Sequence, residues 1–224
     1  MNKLKFEKYS NIHFDSCVEL IKSTWCFHLD FINIPNESVV YEYYLKTCLN
    51  WNQHLDVILD ENSNVKGVLF GSKEDSSIIK ELLFLRKERQ INKWKNQHLN
   101  IGAFGERRKA EKLLANFKYN DQQGERDAEL FDSEINLFIV SPELKGRGLG
   151  RKLMDRYMDF CRSNEIATAF LWTDADCNYS FYQKYGFKLH DVFQSSNLMH
   201  NNKHKETADG MIFYIDVKEQ PFEL

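Results

Sequence analysis

Residues 134–163 impose the tightest restriction on how this chain can fold. EINLFIV, from Glu134 to Val140, is apolar and β-branched enough to predict a strand. Pro142 stops it, because proline cannot donate to a sheet ladder. Gly146, Gly148 and Gly150 then turn the backbone and bare its N–H groups. From Arg151 to Ser163, the residues Leu153, Met154, Tyr157, Met158 and Cys161 recur at helical spacing. A strand that passes through glycines straight into a helix aims the first helical amides and the positive dipole end at one spot. Such a spot suits a pyrophosphate; a glycine-rich turn without a ligand is the alternative. The spacing GxGxG, with Arg at 151, departs from the dinucleotide fingerprint, and no Gly-Lys-Ser/Thr follows as a P-loop requires.

Strand and helix signals alternate along the rest of the chain and predict an α/β fold. Leu4 to Tyr9 reads as a strand and His13 to Trp25 as a helix with Phe14, Cys17, Val18, Leu20 and Ile21 on one face. Val39 to Trp51 reads as a second helix, and Leu55–Leu59 with Val65–Gly71 as a hairpin across the turn-rich DENSN. After the glycine turn and its helix come a strand, Ala167 to Trp172, and a short helix, Cys177 to Tyr185, ended by Gly186. A strand from Phe187 to Phe193, a polar loop from Gln194 to Asp209 and a last strand from Met211 to Val217 complete the order.

Residues 76–127 differ in charge: 12 Lys and Arg stand against 7 Asp and Glu, a net of +5, leaving −8 on the rest of a chain whose total is −3. Ile79, Leu82, Leu83, Ile91 and Trp94 predict one buried helical stripe here, and Ala110, Leu113, Leu114 and Phe117 a second. The expectation is one domain over residues 1–224, with 76–127 as a helical basic insertion. Such an insertion could cover the acceptor pocket, favour an acidic acceptor or mediate a homodimer; residue type leaves these three open.

Composition removes several classes. Hydrophobic residues make up 42% and aromatics 14%, which excludes global disorder. The net charge of −3 counts against a nucleic-acid binder held by phosphate contacts. No apolar run reaches membrane-span length and MNKLKFEKYSNIHFD has no signal-peptide core, so the expectation is a cytoplasmic protein with no membrane partner. Five cysteines form no CxxC, and His200 and His204 share helical spacing only inside the polar stretch HNNKHKE, so no metal is expected.

Two motifs carry a family resemblance. Val140 and Pro142 give V-x-P, and Lys145-Gly146-Arg147-Gly148-Leu149-Gly150 gives a [QR]-x-x-G-x-[GA]-like loop, with Lys145 where Gln or Arg is usual. Further on, Tyr182-Gln183-Lys184-Tyr185-Gly186-Phe187 gives Y-x-x-x-G-F, with Asn178 near the helix start. Together, across about residues 134–187, they resemble the GNAT superfamily of acyl-CoA-dependent N-acetyltransferases.

The resemblance implies a mixed, mostly antiparallel sheet of about seven strands flanked by helices. It implies that acetyl-CoA lies between the strand ending at Val140 and the strand ending at Trp172. Phe138, Ile139 and Val140 would pair with the pantetheine arm, and the amides from Lys145 to Arg151 would hold the pyrophosphate, with Asn178 either bonding the arm or capping its helix. Arg147, Arg151 and Lys152 are cations within reach of the phosphates or of solvent. An amine then attacks the thioester directly. An alkylamine has a pKa of ~10.4, so a proton acceptor is needed at neutral pH. Glu134 sits where the family places that base, and strand alternation sets Glu134, Asn136, Phe138 and Val140 on one face; a surface carboxylate is the alternative. Glu129 and Asp132 are weaker substitutes. Tyr182 is the implied acid for the leaving thiolate, or a packing aromatic. Cys177 invites a covalent acyl-enzyme, against the direct transfer usual in the family. Trp25, Phe27, His28, Trp172, Asp174 and the 194–209 loop supply the implied acceptor site, for a small amine or a peptide amino group. A CoA-binding, non-catalytic sensor is the competing function, and an interaction module built on the insertion is a third.

Overall fold

The computed structural model describes residues 4–50, 52–73, 77–175, 177–194 and 210–219. Seven strands and six α-helices follow one another as β1 (Lys5–Lys8), α1 (Phe14–Thr24), α2 (Ser38–Cys48), β2 (His54–Leu59), β3 (Val65–Lys73), α3 (Ile78–Asn100), α4 (Arg107–Gly124), β4 (Ser133–Val140), α5 (Leu149–Ser163), β5 (Thr168–Asp174), α6 (Ser180–Tyr185), β6 (Lys188–Phe193) and β7 (Gly210–Asp216). The sheet order is β1-β2-β3-β4-β5-β7-β6, antiparallel everywhere except between β4 and β5. The expected sheet is therefore present. The expected Cys177–Tyr185 helix is helical only from Ser180, because the backbone from Asp174 to Tyr179 is spent on two turns. The second helix stops at Cys48, short of Trp51, which lies outside the described residues along with His200, His204 and nearly all of the 194–209 loop.

Helices cover both faces, as a sheet with a parallel step demands. On one face α1, α2 and α4 bury Cys17, Ile21, Tyr41, Leu45, Leu113 and Leu114 against Val57, Val68, Phe70, Leu137 and Ile139. On the other, α5 sets Leu153, Met154, Tyr157 and Cys161 against Leu69, Ile135, Ala169 and Phe213. Each such large side chain contributes about 1.5–3 kcal/mol when fully buried. Under α5 a carboxylate is also buried: Asp56 of β2 is 0% exposed and is paired with Lys8 at 2.7 Å and with Arg156. Burial alone would raise that carboxyl, and the hydrogen bonds from Arg156 and Lys8 outweigh it and hold it below the usual carboxylate range.

The 76–127 segment joins the main core. Leu99, Phe104, Ala110, Leu113 and Leu114 are all buried in the cluster of α1 and α2, as the stripe read on α4 predicts. The stripe read on α3 is corrected. Ile91 and Trp94 pack on that core, but Ile79, Leu82 and Leu83 are 71%, 61% and 52% exposed, as are Ile78 at 73% and Leu85 at 38%. Only the second half of this 23-residue helix packs on the core of α1 and α2, which leaves these apolar side chains of its first half exposed among the described residues.

A second correction concerns β4. Its register with β3 runs Leu69↔Phe138 and Phe70↔Leu137, then Gly71↔Ile135 and Ser72↔Glu134, so Asn136 is an extra residue, a β-bulge. Simple alternation therefore fails across Asn136. Phe138 and Val140 face α5, with Leu69. Glu134, paired with Ser72 on one side and Phe170 on the other, faces the layer of α2 and α4.

Candidate active site

The bulge has a second effect. Strands β4 and β5 share a single register position, Glu134↔Phe170, and beyond it they diverge. From Leu137 to Val140, β4 is laddered to β3 but not to β5, which leaves strand-edge N–H and C=O groups facing an opening. An extended, amide-bearing arm can fill that edge as a missing strand would.

At the end of this opening lies the glycine turn. Gly146 and Gly148 have φ of 80° and 71°, a region natural only to glycine, and Gly148 is the N-cap of α5. No side chain caps this helix and no acidic residue lies in its first turn. The amides of Gly148, Leu149 and Gly150 start the helix and have no acceptor one turn back. A Cβ built at Gly146 or Gly148 meets nothing within 4 Å, so the turn borders open space. Lys145, Arg147, Arg151 and Lys152 are exposed around it, and Arg151 lies over the Tyr185 ring at 5.6 Å. Partial positive charge, unused donors and room coincide, which fits a pyrophosphate.

Tyr182 reaches across from α6. Its ring stands 6.2 Å from Phe138 of β4, 5.8 Å from Phe187 and 6.1 Å from Phe213 of β7, while Phe138 also meets Phe181 at 5.2 Å. The α6 helix thus bridges the diverging strands. Burial pushes the Tyr182 hydroxyl up, helped by Cys177 and Asp174. It stays protonated at neutral pH and can donate a proton or a hydrogen bond. Burial also raises the Cys177 thiol, to about 11, so little thiolate exists for a covalent route. The Asn178 carboxamide accepts a hydrogen bond from Ser180 Oγ at 2.9 Å beside the start of α6, and it does not cap that helix, whose N-cap is Tyr179 with no side-chain cap bond.

Glu134 is buried, 8% exposed, which removes the reading of a surface carboxylate. Asp132 is taken up structurally: its carboxylate accepts from the amides of Ala167 and Thr168, both at 3.0 Å, and ties the start of β4 to β5. Glu129 is exposed.

The residues expected on the acceptor side fall into two groups. Trp25 stacks on Phe27 at 5.4 Å, and both meet Tyr44 of α2. His28 is held by the Tyr41 hydroxyl at 2.6 Å. Trp172 belongs to the other group, with Phe193 at 6.0 Å. Asp174 closes a turn by accepting the Cys177 amide at 3.0 Å. The two groups are joined by α4: Phe117 meets Phe27 at 5.4 Å, and Gly124 lies so close to Trp172 that any Cβ there would overlap the indole. The helical segment is therefore a wall that packs between these two groups.

Sequence reasoning passed over residues on that wall. Asp121 stands between Phe117 and Gly124 on the inward stripe of α4, and Tyr44 and Cys48 face it from α2. The signal was available: an acidic residue set one turn after Phe117, in register with Leu113, Leu114 and Gly124. Among the described residues, no group of three or more His, Cys, Asp or Glu could hold a metal ion, and no helix is long and apolar enough to cross a membrane.

Comparison with known proteins agrees with this geometry. Residues 89–187 match the family model for acetyltransferases of the GNAT family. An acetyltransferase of the GNAT family from Staphylococcus aureus superposes with a TM-score of 0.53 at 14% identity, covering 96% of this chain and 99% of that one. The ribosomal-protein-S18-alanine N-acetyltransferase from Escherichia coli superposes with a TM-score of 0.50 at 10% identity, covering 99% of each chain. At such identities the likeness is one of fold. No curated protein matches the sequence.

Proposed function

We propose, from the premise that this chain carries a GNAT acetyltransferase domain, that it moves an acetyl group from acetyl-CoA to a primary amine of a small molecule or peptide by direct attack. One observation carries this reading: the divergence of β4 from β5 opens onto the uncapped, glycine-built N-terminus of α5, with Tyr182 beside Phe138 at the same opening.

In this mechanism the amides of Gly146, Gly148, Leu149 and Gly150 hold the pyrophosphate, with Lys145, Arg147 and Arg151 lending charge. The free edge of β4 at Phe138, Ile139 and Val140 pairs with the pantetheine arm and fixes the thioester. Asn178 borders the arm near α6. The acceptor enters from the α2–α4 side, where Trp25, Phe27, Trp172 and Asp174 frame it. It arrives as an ammonium ion, loses a proton to Glu134 directly or through water, and attacks the thioester carbon. The carbon–nitrogen bond forms, the carbon–sulfur bond breaks and the thiolate takes a proton from Tyr182; the nitrogen sheds its second proton, which restores the Tyr182 hydroxyl through water, and Glu134 releases its proton to solvent. Removing the proton matters most, because a protonated amine has no lone pair to attack with.

Calorimetry with acetyl-CoA, using NADH as a control, followed by free-thiol release against a panel of amines, tests the proposal. Binding with release on an amine is the expected result. Binding without release on any amine would favour the sensor reading, and no binding would reduce the glycine turn to a structural element.

A further inference from the structure

Among the described residues, nothing covers the outer face of α3. Ile78, Ile79, Leu82 and Leu85 are exposed on it. Ile91 and Trp94, which pack on the core, stand on the opposite side of the helix: Ile91 lies about two and a half turns from Leu82, and Trp94 the same from Leu85. A groove of about 280 Å³ runs along the outer face, lined by Leu82, Leu85, Arg86, Arg89, Gln90 and Lys93. Its cations are exposed, and among the described residues no side chain forms an ion pair with Arg86, Arg89 or Lys93. Four large apolar side chains in one row exceed the scattered exposure that is normal for a surface.

The spacing on this face is that of a seam between two helices. Ile78, Leu82, Leu85 and Arg89 follow the alternating four- and three-residue steps of a heptad repeat. Glu81 and Glu88 flank that seam on one side, and Arg86 and Lys93 on the other. Each acid precedes its cation by five residues, and those are the positions that meet across two parallel helices in register. In a parallel pair, Glu81 of one copy stands beside Arg86 of the other, and Glu88 beside Lys93, each contact made twice by symmetry. An antiparallel pair would set cation against cation along one flank and acid against acid along the other, which opposes association. Glu88 also acts on Tyr43 and Lys95 of its own chain, so the orientation rests mainly on Glu81 and Arg86. With the stems of Arg86, Arg89 and Lys93, the apolar side chains of two copies would remove on the order of 1,000 Å² from water, the size at which specific contacts between chains begin.

We propose that a second copy of this chain docks on this face: the two α3 helices run side by side, parallel and in register, over residues 78–93. The occupant is a copy because α3 supplies both halves of the contact, apolar to apolar and acid to base. The two cores, each on the far side of its own α3, lie on the outside of the pair. Arg89 falls on the seam itself, where a lone polar residue fixes register at a cost in stability, so the dimer dissociates at about micromolar concentration. Neither acetyl-CoA nor the acceptor takes part, so this contact stands or falls apart from the acetyl-transfer reading.

Sedimentation equilibrium of the full chain from about 1 to about 100 µM tests the proposal, and the mass should rise from one chain to two. Leu82 is exposed, so Leu82→Glu should leave the circular dichroism unchanged and raise the dissociation constant about tenfold or more. Arg86→Glu should weaken the dimer, and adding Glu81→Arg should restore it. Wild type that remains a single chain throughout would overturn the proposal; binding to phosphatidylserine vesicles that is lost in Leu82→Glu would then assign the face to an anionic membrane. Dimers untouched by Leu82→Glu would place the contact elsewhere and overturn it equally. Dimers tightened by Arg86→Glu would mean antiparallel helices and overturn the pairing.

Discussion

The direction in which Glu134 points depends on the single extra residue Asn136. Without the bulge, the carboxylate would share a face with Phe138 and Val140 and look toward α5; with it, Glu134 looks toward α2 and α4, the side proposed for the acceptor. Glu134→Gln should therefore suppress acetyl transfer mainly near pH 7 and recover at alkaline pH, where the amine is already neutral; a ratio to wild type that stays flat across pH would count against it. Tyr182→Phe should lower kcat by about tenfold to a hundredfold while acetyl-CoA affinity changes little, because only the proton for the leaving thiolate is lost. Asp121 yields a stability prediction. Its folded pKa of about 7 exceeds the ordinary carboxylate value, so the native state binds the proton more tightly than the unfolded chain does. The native state loses stability as pH rises from about 4 to about 7 and stays penalised above that. Full burial would make the penalty about 4 kcal/mol; since Asp121 is half-buried, about 1–2 kcal/mol is expected. Asp121→Asn should then melt a few degrees higher than wild type at pH 8 and no higher at pH 4, read by calorimetric melting.

At the level of elements, legibility followed locality. The strand, glycine turn and helix from Glu134 to Ser163 could be read because each depends on neighbours in sequence: Pro142 stops, Gly148 turns, Leu153 and Tyr157 face inward. The short helix at Tyr182 was readable for the same reason. The bulge was not, because it is a matter of register with β3 and leaves no mark in EINLFIV. Nor was the division of α3, since Leu82 and Trp94 carry the same periodic signal whether or not another element lies beneath them. Asp121 was overlooked because polar residues on a basic, charged segment draw no notice until the inward stripe is known. The uncapped start of α5 gives a prediction at this scale. Gly148→Ala forces an L-residue into the left-handed region at φ near 71°, costing about 1–2 kcal/mol, and turns the amides away from the phosphates. Acetyl-CoA affinity should fall about tenfold or more by calorimetry, with the sheet signal in circular dichroism unchanged; affinity equal to wild type would remove the turn from the binding site.

For the molecule as a whole, the proposed reading puts cofactor and acceptor on opposite sides of one sheet opening, with the glycine turn and α5 on one side and α2 and α4 on the other. The second side is built by a segment with a net charge of +5 in a chain whose remainder carries −8. This arrangement also shapes the route by which the chain reaches its native state. Strands β3 and β4 are direct neighbours in the sheet, yet about 60 residues separate them, where an ordinary hairpin uses two to five. Closing so long a loop costs about 3 kcal/mol more than closing a two-residue turn. Helices form in about a microsecond, so α3 and α4 can shorten the effective loop before the strands meet. Leu113→Ala in α4 should then slow refolding in stopped-flow experiments as well as speed unfolding; an effect on unfolding alone would mean that the strands pair first. The wall beside the opening would thus be a kinetic scaffold, raised early, on which the central pair of strands is later closed.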